Sequence, residues 1–250
     1  MKFEDIIKNL SSVVALIVVY LISAGMYLSA KGFIIDGNGQ IVLAQSAYAQ
    51  DSVMPRGIPS DLILPEEHVL GKANAPVTIY EYSSFGCSHC ADFHLNTLPS
   101  IIQKYVESGE VRVVFVPFPI DKASMDAALL AECVAPEQYF AFAEVLFKKQ
   151  RDWSFAHNPQ KVLKQYAALS GVGAEQADKC LHNDDTAQKI LENRQNGMTQ
   201  LGIQGTPSFI VSFDGKRELI SGTVSEDYLE DLLTGGIFDD VEDDSAQKKS

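Results

Sequence analysis

The stretch that most constrains this chain is Glu81 to Cys90, EYSSFGCSHC. An apolar, strand-like run from Val77 to Tyr82 leads into it, and a helical pattern from Ala91 to Val106 follows. Two cysteines separated by two residues therefore stand where a strand hands over to a helix. A helix begins with backbone N–H groups that have no partner within it, and its dipole is positive at that end. A sulfur placed there is favoured as thiolate, and the thiolate is the form that attacks disulfides. Cys87 is thus the expected reactive sulfur, also a good leaving group. Cys90, one turn further in, is the more buried partner that closes a disulfide with it.

Two neighbours extend this reading. His89 lies between the cysteines, where an imidazole can donate to the Cys87 thiolate or place positive charge beside it. Stabilising that thiolate stabilises the dithiol form and so makes the disulfide form a stronger oxidant. Glu81 precedes Cys87 by six residues, inside the apolar strand. Burial disfavours an ionised carboxyl group, which suits Glu81 to exchange a proton with Cys90. The competing reading, an edge-strand charge facing water, is the weaker one beside a CxxC pair. The CxxC pair, between a strand and a helix, reads as a thioredoxin-like redox pair.

The 250 residues suffice for one sizeable domain with an insertion and a tail. With 33 acidic against 20 basic residues, the formal charge of −13 argues against nucleic acid or an anionic membrane surface as the main partner. Four cysteines allow three pairings. If Cys87 pairs with Cys90, Cys133 is left with Cys180, either as a second disulfide or as two independent buried thiols.

Residues 1–31 fall outside the expected fold. Lys2 and Lys8 precede a stretch from Leu10 to Ala30 without a charge, long enough for the roughly 20 residues that a bilayer requires. It reads as a signal anchor. A cleaved signal peptide is the alternative, with Ala47-Tyr48-Ala49 as a small-x-small site far beyond the apolar core. Either places the cysteines outside the cytoplasm, where disulfides persist. Residues 32–65 read as a linker with no heptad pattern, which argues against an oligomerising stalk; a monomer is the expected state. The acidic residues 237–250 read as a disordered tail.

Between these ends the pattern is strand, helix, strand over residues 66–121, entirely helical over 122–200, then two strands and a helix over 201–236. This is an α/β fold interrupted by an all-helical insertion. Pro99 predicts a kink in the helix after Cys90. His94 reads as a residue of that helix's surface, and His68 carries no assignable role.

The segment Glu81 to His94, with Phe-Gly-Cys-Ser-His-Cys at its centre, resembles the bacterial DsbA-like thiol:disulfide oxidoreductases. The resemblance covers about residues 66 to 235. It implies a thioredoxin fold with an inserted all-helical domain. It assigns the redox pair to Cys87 and Cys90 with His89 between them, and the buried acid to Glu81. It also assigns a cis-proline loop to Thr206 and Pro207, against which an extended substrate segment pairs. Cys133 and Cys180 in the helical region resemble members with a second, structural disulfide. Ser-His between the cysteines, in place of the Pro-His of the best-known members, leaves the oxidising strength open.

The implied activity introduces disulfides into exported proteins through a mixed-disulfide intermediate. No cofactor is required. The implied partners are unfolded or reduced exported proteins and a membrane oxidase that regenerates the disulfide, with the protein periplasmic and anchored at the inner membrane. An isomerase or reductase with the same motif is the alternative. A structural zinc module ranks lower, because Cys133 and Cys180 are single and far apart and no closed set of four ligands can be assembled.

Overall fold

The computed structural model describes residues 33–35, 41–43 and 58–233. Leu10 to Ala30 and the acidic tail lie outside the described residues. No helix among the described residues is long and apolar enough to cross a membrane.

In the stretch read as a linker, β1 (Phe33–Ile35) pairs antiparallel with β2 (Ile41–Leu43), with Ile34 opposite Val42. Both triplets are rich in β-branched residues, which favour strands.

The body from residue 58 onward is built on a five-stranded sheet in the order β3-β5-β4-β6-β7. These are β3 (His68–Leu70), β4 (Val77–Ser83), β5 (Val111–Pro117), β6 (Ser208–Phe213) and β7 (Lys216–Ser221). β4 runs parallel to β5 in the centre, and the other pairings are antiparallel. Strand β3 is absent from the sequence reading. It has three residues, too few to show alternation, and it gains its place only by pairing with Val113 to Phe115.

Every residue of β4 is buried, as expected of a strand covered on both faces. Val77 and Ile79 face a core that includes Phe93, Leu98 and Ile101 of the following helix and Leu229 and Leu232 near the C-terminus. Tyr80 and Tyr82 face the other way, onto Phe118, Leu201 and Ile203. Glu81 follows the odd-numbered face, where an apolar side chain would ordinarily sit.

The helix after the cysteines, α1, is continuous but uneven. α-helical turns at Ser88–Asp92 and Leu98–Ile101 alternate with wider π-helical turns at Phe93–Thr97 and Ile102–Val106. Pro99, which has no N–H to give, sits in the first turn of the second α-helical piece, just after a widened turn. Local widening of this kind accommodates a proline without ending the helix.

The insertion is helical throughout, as the pattern predicts. It comprises α2 (Lys122–Ala131), α3 (Tyr139–Lys148, entered through a 3₁₀ turn at Pro136–Gln138), α4 (Gln150–Ser154), α5 (Pro159–Leu169), α6 (Ala174–Leu181) and α7 (Asp184–Gln200). Helix starts are set by sequence. Asp121 and Ser124 form a reciprocal capping box at α2, while Asn158 and Asn183 cap α5 and α7. Cys133 and Cys180 form a disulfide with Cα atoms 6.2 Å apart, tying the end of α2 to α6.

After α7, β6 and β7 are joined by Asp214 and Gly215, both at positive φ (48° and 74°), the backbone that a tight two-residue hairpin turn requires. The closing helix α8 (Glu226–Leu233) starts where the Ser225 hydroxyl accepts from Tyr228 N at 3.1 Å.

Candidate active site

Cys87 occupies the N-cap position of α1. The chain reaches it through a tight loop, in which Cys87 N donates to the Ser84 carbonyl at 3.0 Å and Gly86 N to Ser84 Oγ at 3.3 Å. Gly86 passes close to the insertion: a Cβ there would lie 3.2 Å from Ser124 Cβ. The loop is also held from behind. Gln150, a buried residue at the start of α4, donates through Nε2 to the carbonyls of Phe85 at 2.7 Å and Cys87 at 2.9 Å. Sequence reasoning missed Gln150, because a glutamine at a helix start carries no signal of the loop it will reach 63 residues away.

The two cysteines are both free thiols and differ sharply in environment. Cys87 is partly exposed and Cys90 is fully buried. The Cys87 sulfur is held well below the ordinary thiol range, to about 5. The side-chain hydrogen bond from Cys90 is the largest cause, and the Thr206 side chain and the backbone N–H groups of Cys90 and His89 add to it. Those N–H groups do not form an aligned cap on the sulfur, so they act as oriented dipoles at the helix start. Cys90 is pushed the other way, well above the ordinary thiol range, chiefly by burial and then by its bond to Cys87. Ser83 and the Ser84 backbone moderate that rise. Ser83 Oγ is buried with no aligned hydrogen-bond partner among the described residues.

The geometry brings Thr206 and Pro207 to the same place. Their peptide bond is cis, and the Thr206 carbonyl accepts from the Cys87 thiol at 3.2 Å across 119 residues of sequence. Ser208 Oγ, at the start of β6, fixes the loop by donating to the Gly205 carbonyl at 2.8 Å.

His89 stands at the second position of α1. Its imidazole is exposed and has no hydrogen-bond partner among the described residues, so what it offers Cys87 in this structure is its backbone N–H.

Glu81 is wholly buried, which disposes of the edge-strand reading. Its partner is His94, whose Nε2 lies 3.1 Å from Glu81 Oε2, with both side chains almost fully enclosed. His94 is therefore not a helix-surface residue. It packs among the rings of Phe147 at 4.5 Å, Phe115 at 5.5 Å and Phe93 at 6.2 Å. The spacing Cys90 to His94, one helical turn, was the available signal: a residue one turn below a buried cysteine faces the same interior. His68 also acquires a place, stacked on Tyr139 at 3.5 Å and 2.7 Å from Glu132.

Residues 64–229 match the family described as Thioredoxin, and the chain belongs to that family. Among curated relatives, a Rickettsia typhi protein bearing a protein-disulfide oxidoreductase name is 26% identical over 181 residues, 72% of this chain and 64% of that protein. Disulfide bond formation protein D of Bacillus subtilis is 30% identical over 149 residues, 58% of this chain and 67% of that protein. The crystal structure of Wolbachia pipientis α-DsbA1 superimposes with a TM-score of 0.65 at 28% identity, covering 70% of this chain and 94% of that one. The fold is thus the thioredoxin fold with a helical insertion. The chain spans less than two thirds of its Rickettsia relatives, 64% of the Rickettsia typhi protein and 56% of the Rickettsia bellii protein.

Proposed function

We propose that this chain is a thiol:disulfide oxidoreductase that introduces disulfides into exported proteins through Cys87 and Cys90. The observation that carries this is the asymmetry of the pair: a partly exposed sulfur held as thiolate at a helix start, beside a buried thiol that resists ionisation. With the pair as a disulfide, a substrate thiolate attacks Cys87 Sγ. A Cys87–substrate disulfide forms, and Cys90 departs with the electron pair and takes up a proton. A second substrate thiolate then attacks the substrate sulfur, and Cys87 leaves as the stabilised thiolate. Two electrons have passed from two substrate thiols to the protein pair. Cys87 and Cys90 are the reacting residues, Glu81 the proton partner of Cys90, and Thr206 and Pro207 the edge against which an extended substrate lies. His89 contributes its N–H, and its imidazole supplies a donor or positive charge beside the Cys87 thiolate.

The substrates in this reading are reduced or unfolded exported proteins, and a membrane oxidase restores the disulfide. The uncharged stretch Leu10 to Ala30 supports a periplasmic protein anchored to the inner membrane, or one released from it by cleavage, acting as a monomer. The Cys133–Cys180 disulfide supports an oxidising compartment.

The test is the equilibrium of the full chain with glutathione buffers. A potential far on the oxidising side of thioredoxin, with transfer of the disulfide to a reduced two-cysteine peptide, is the expected result. A thioredoxin-like potential would refute the donor reading in favour of reduction or isomerisation.

A further inference from the structure

Glu81 and Ser83 lie on one face of β4, and Cys90 and His94 lie one turn apart on α1. Ser83 faces Cys90 and Glu81 faces His94, so the two pairs form neighbouring rungs between strand and helix. The lower rung is polar and incompletely matched. Both Glu81 carboxylate oxygens and His94 Nε2 are buried without an aligned hydrogen bond, although Nε2 and Oε2 are only 3.1 Å apart. Buried polar atoms are ordinarily paired, and an exception calls for an explanation. His94 has a second property that Glu81 lacks. It lines a surface cleft of about 540 Å³, together with Leu95, Leu98, Phe140 and Glu144. His94 therefore meets both a carboxyl group sealed in the core and a cleft that opens to solvent.

We propose that His94 is the relay residue through which the proton of Cys90 reaches solvent, acting through Glu81 and opening on the cleft between α1 and α3. This rests on the oxidoreductase reading given above. When the active-site disulfide closes, Cys90 transfers its proton to the Glu81 carboxylate. The Cys90 thiolate attacks Cys87 Sγ of a mixed disulfide. The Cys87–Cys90 bond forms, the Cys87–substrate bond breaks, and the electron pair leaves with the substrate sulfur. Glu81 passes the proton to His94, which releases it to the cleft. In disulfide donation the same path runs inward and protonates the departing Cys90. The ionisable groups that face the Glu81–His94 pair are Tyr139 of α3, which feels the Glu81 charge, Glu144 of α3 across the cleft, and Cys90 one turn away on α1. Without the relay, Glu81 can take one proton but has no partner to discharge it.

The experiment mixes the reduced full chain with glutathione disulfide and follows closure of the pair by rapid alkylation quench. At low glutathione disulfide the rate rises with a slope set by Cys87. At high concentration it reaches a plateau set by the Cys90 step. His94→Gln is expected to lower the plateau by about a hundredfold, the lower range for a lost acid–base group, with the slope unchanged. His94→Ala is expected to do the same and to regain the plateau as imidazole is added, because the cleft admits it. Glu81→Gln lowers the same plateau without responding to imidazole, and it keeps the test valid should the His94 variants fold poorly. An unchanged plateau in His94→Gln, or a lowered one with an unaltered pH profile and no imidazole rescue in His94→Ala, would overturn the relay. A wild-type slope no steeper than that of a simple thiol would overturn the redox reading itself, and the relay with it.

Discussion

Replacing Cys90 isolates the largest influence on the reactive sulfur. Cys87 is held at about 5, and the bond it accepts from Cys90 is the principal cause. A hydrogen bond to a charged group contributes roughly 1.5–3 kcal/mol, and one pKa unit corresponds to about 1.4 kcal/mol. Cys90→Ala should therefore raise the Cys87 midpoint by about 1–2 units, to about 6–7. Cys90→Ser keeps an O–H donor at the same place and should leave the midpoint near that of the wild type. The assay is the rate of iodoacetamide alkylation against pH, with Cys87 located as the modified residue by peptide mass. Wild-type Cys90 stays silent, because it is buried and its thiol resists ionisation. Identical midpoints in wild type, Cys90→Ala and Cys90→Ser would refute the reasoning. They would assign the thiolate to the helix start and Thr206 alone.

Thr206→Val removes the side chain that favours the Cys87 thiolate while sparing the carbonyl, so the alkylation midpoint should rise, by less than in Cys90→Ala. Gln150→Leu strips a buried donor from the Phe85 and Cys87 carbonyls and should cost about 1–3 kcal/mol in urea unfolding; a neutral result would mean the loop holds itself. Opening the Cys133–Cys180 disulfide by a double alanine substitution releases a loop of sequence separation 47. It should cost up to about 4 kcal/mol on the loop-entropy account, read by thermal unfolding, with the Cys87 midpoint unmoved. Finally, the Cys87 thiol is lowered from 9.0 in the free group to about 5 in the fold. Its contribution to the stability of the reduced protein is complete above 9, and is lost as pH falls through about 5. Cys90 is raised, so it withdraws stability only above its ordinary range. Urea midpoints of the reduced form should rise from pH 5 to pH 8, and a flat or falling profile would contradict the thiolate assignment.

What the sequence could disclose follows from the range of each interaction. The strands β4, β5 and β6 were legible because apolar runs bounded by turn residues need no distant information. The helical insertion was legible because Pro136, Asn158-Pro159, Gly171 and Asn183 punctuate it locally. The pair Cys87 and Cys90 was legible for the same reason, since a strand, two cysteines and a helix are contiguous. Strand β3 was not, because three residues acquire strand geometry only from β5. Gln150 and His94 were illegible in different ways. Gln150 serves the site through a contact that spans the sequence. His94 was read as a surface residue because histidine is polar, although its spacing from Cys90 already placed it inward.

These misreadings share a cause that bears on how the site works. The segment Ser84 to Cys90 carries the reacting sulfurs, but its conformation is held from outside by groups that arrive from three directions. Thr206 comes from the loop before β6, Gln150 from the insertion, and Ser83 with Glu81 from the strand beneath. Each meets a different part of the cysteine pair. Thr206 touches the exposed Cys87 sulfur, Gln150 the backbone carbonyls behind it, and the strand carries the polar groups on the Cys90 side. The partly exposed sulfur is thereby tuned from both sides, by the buried Cys90 first and by Thr206 at the surface, and the buried one by burial and its bond to Cys87. The insertion therefore reaches both sulfurs, Cys87 through Gln150 and the Cys90 side through Phe147 against His94. The helical insertion is accordingly part of the active site's frame as well as a cover for the sheet.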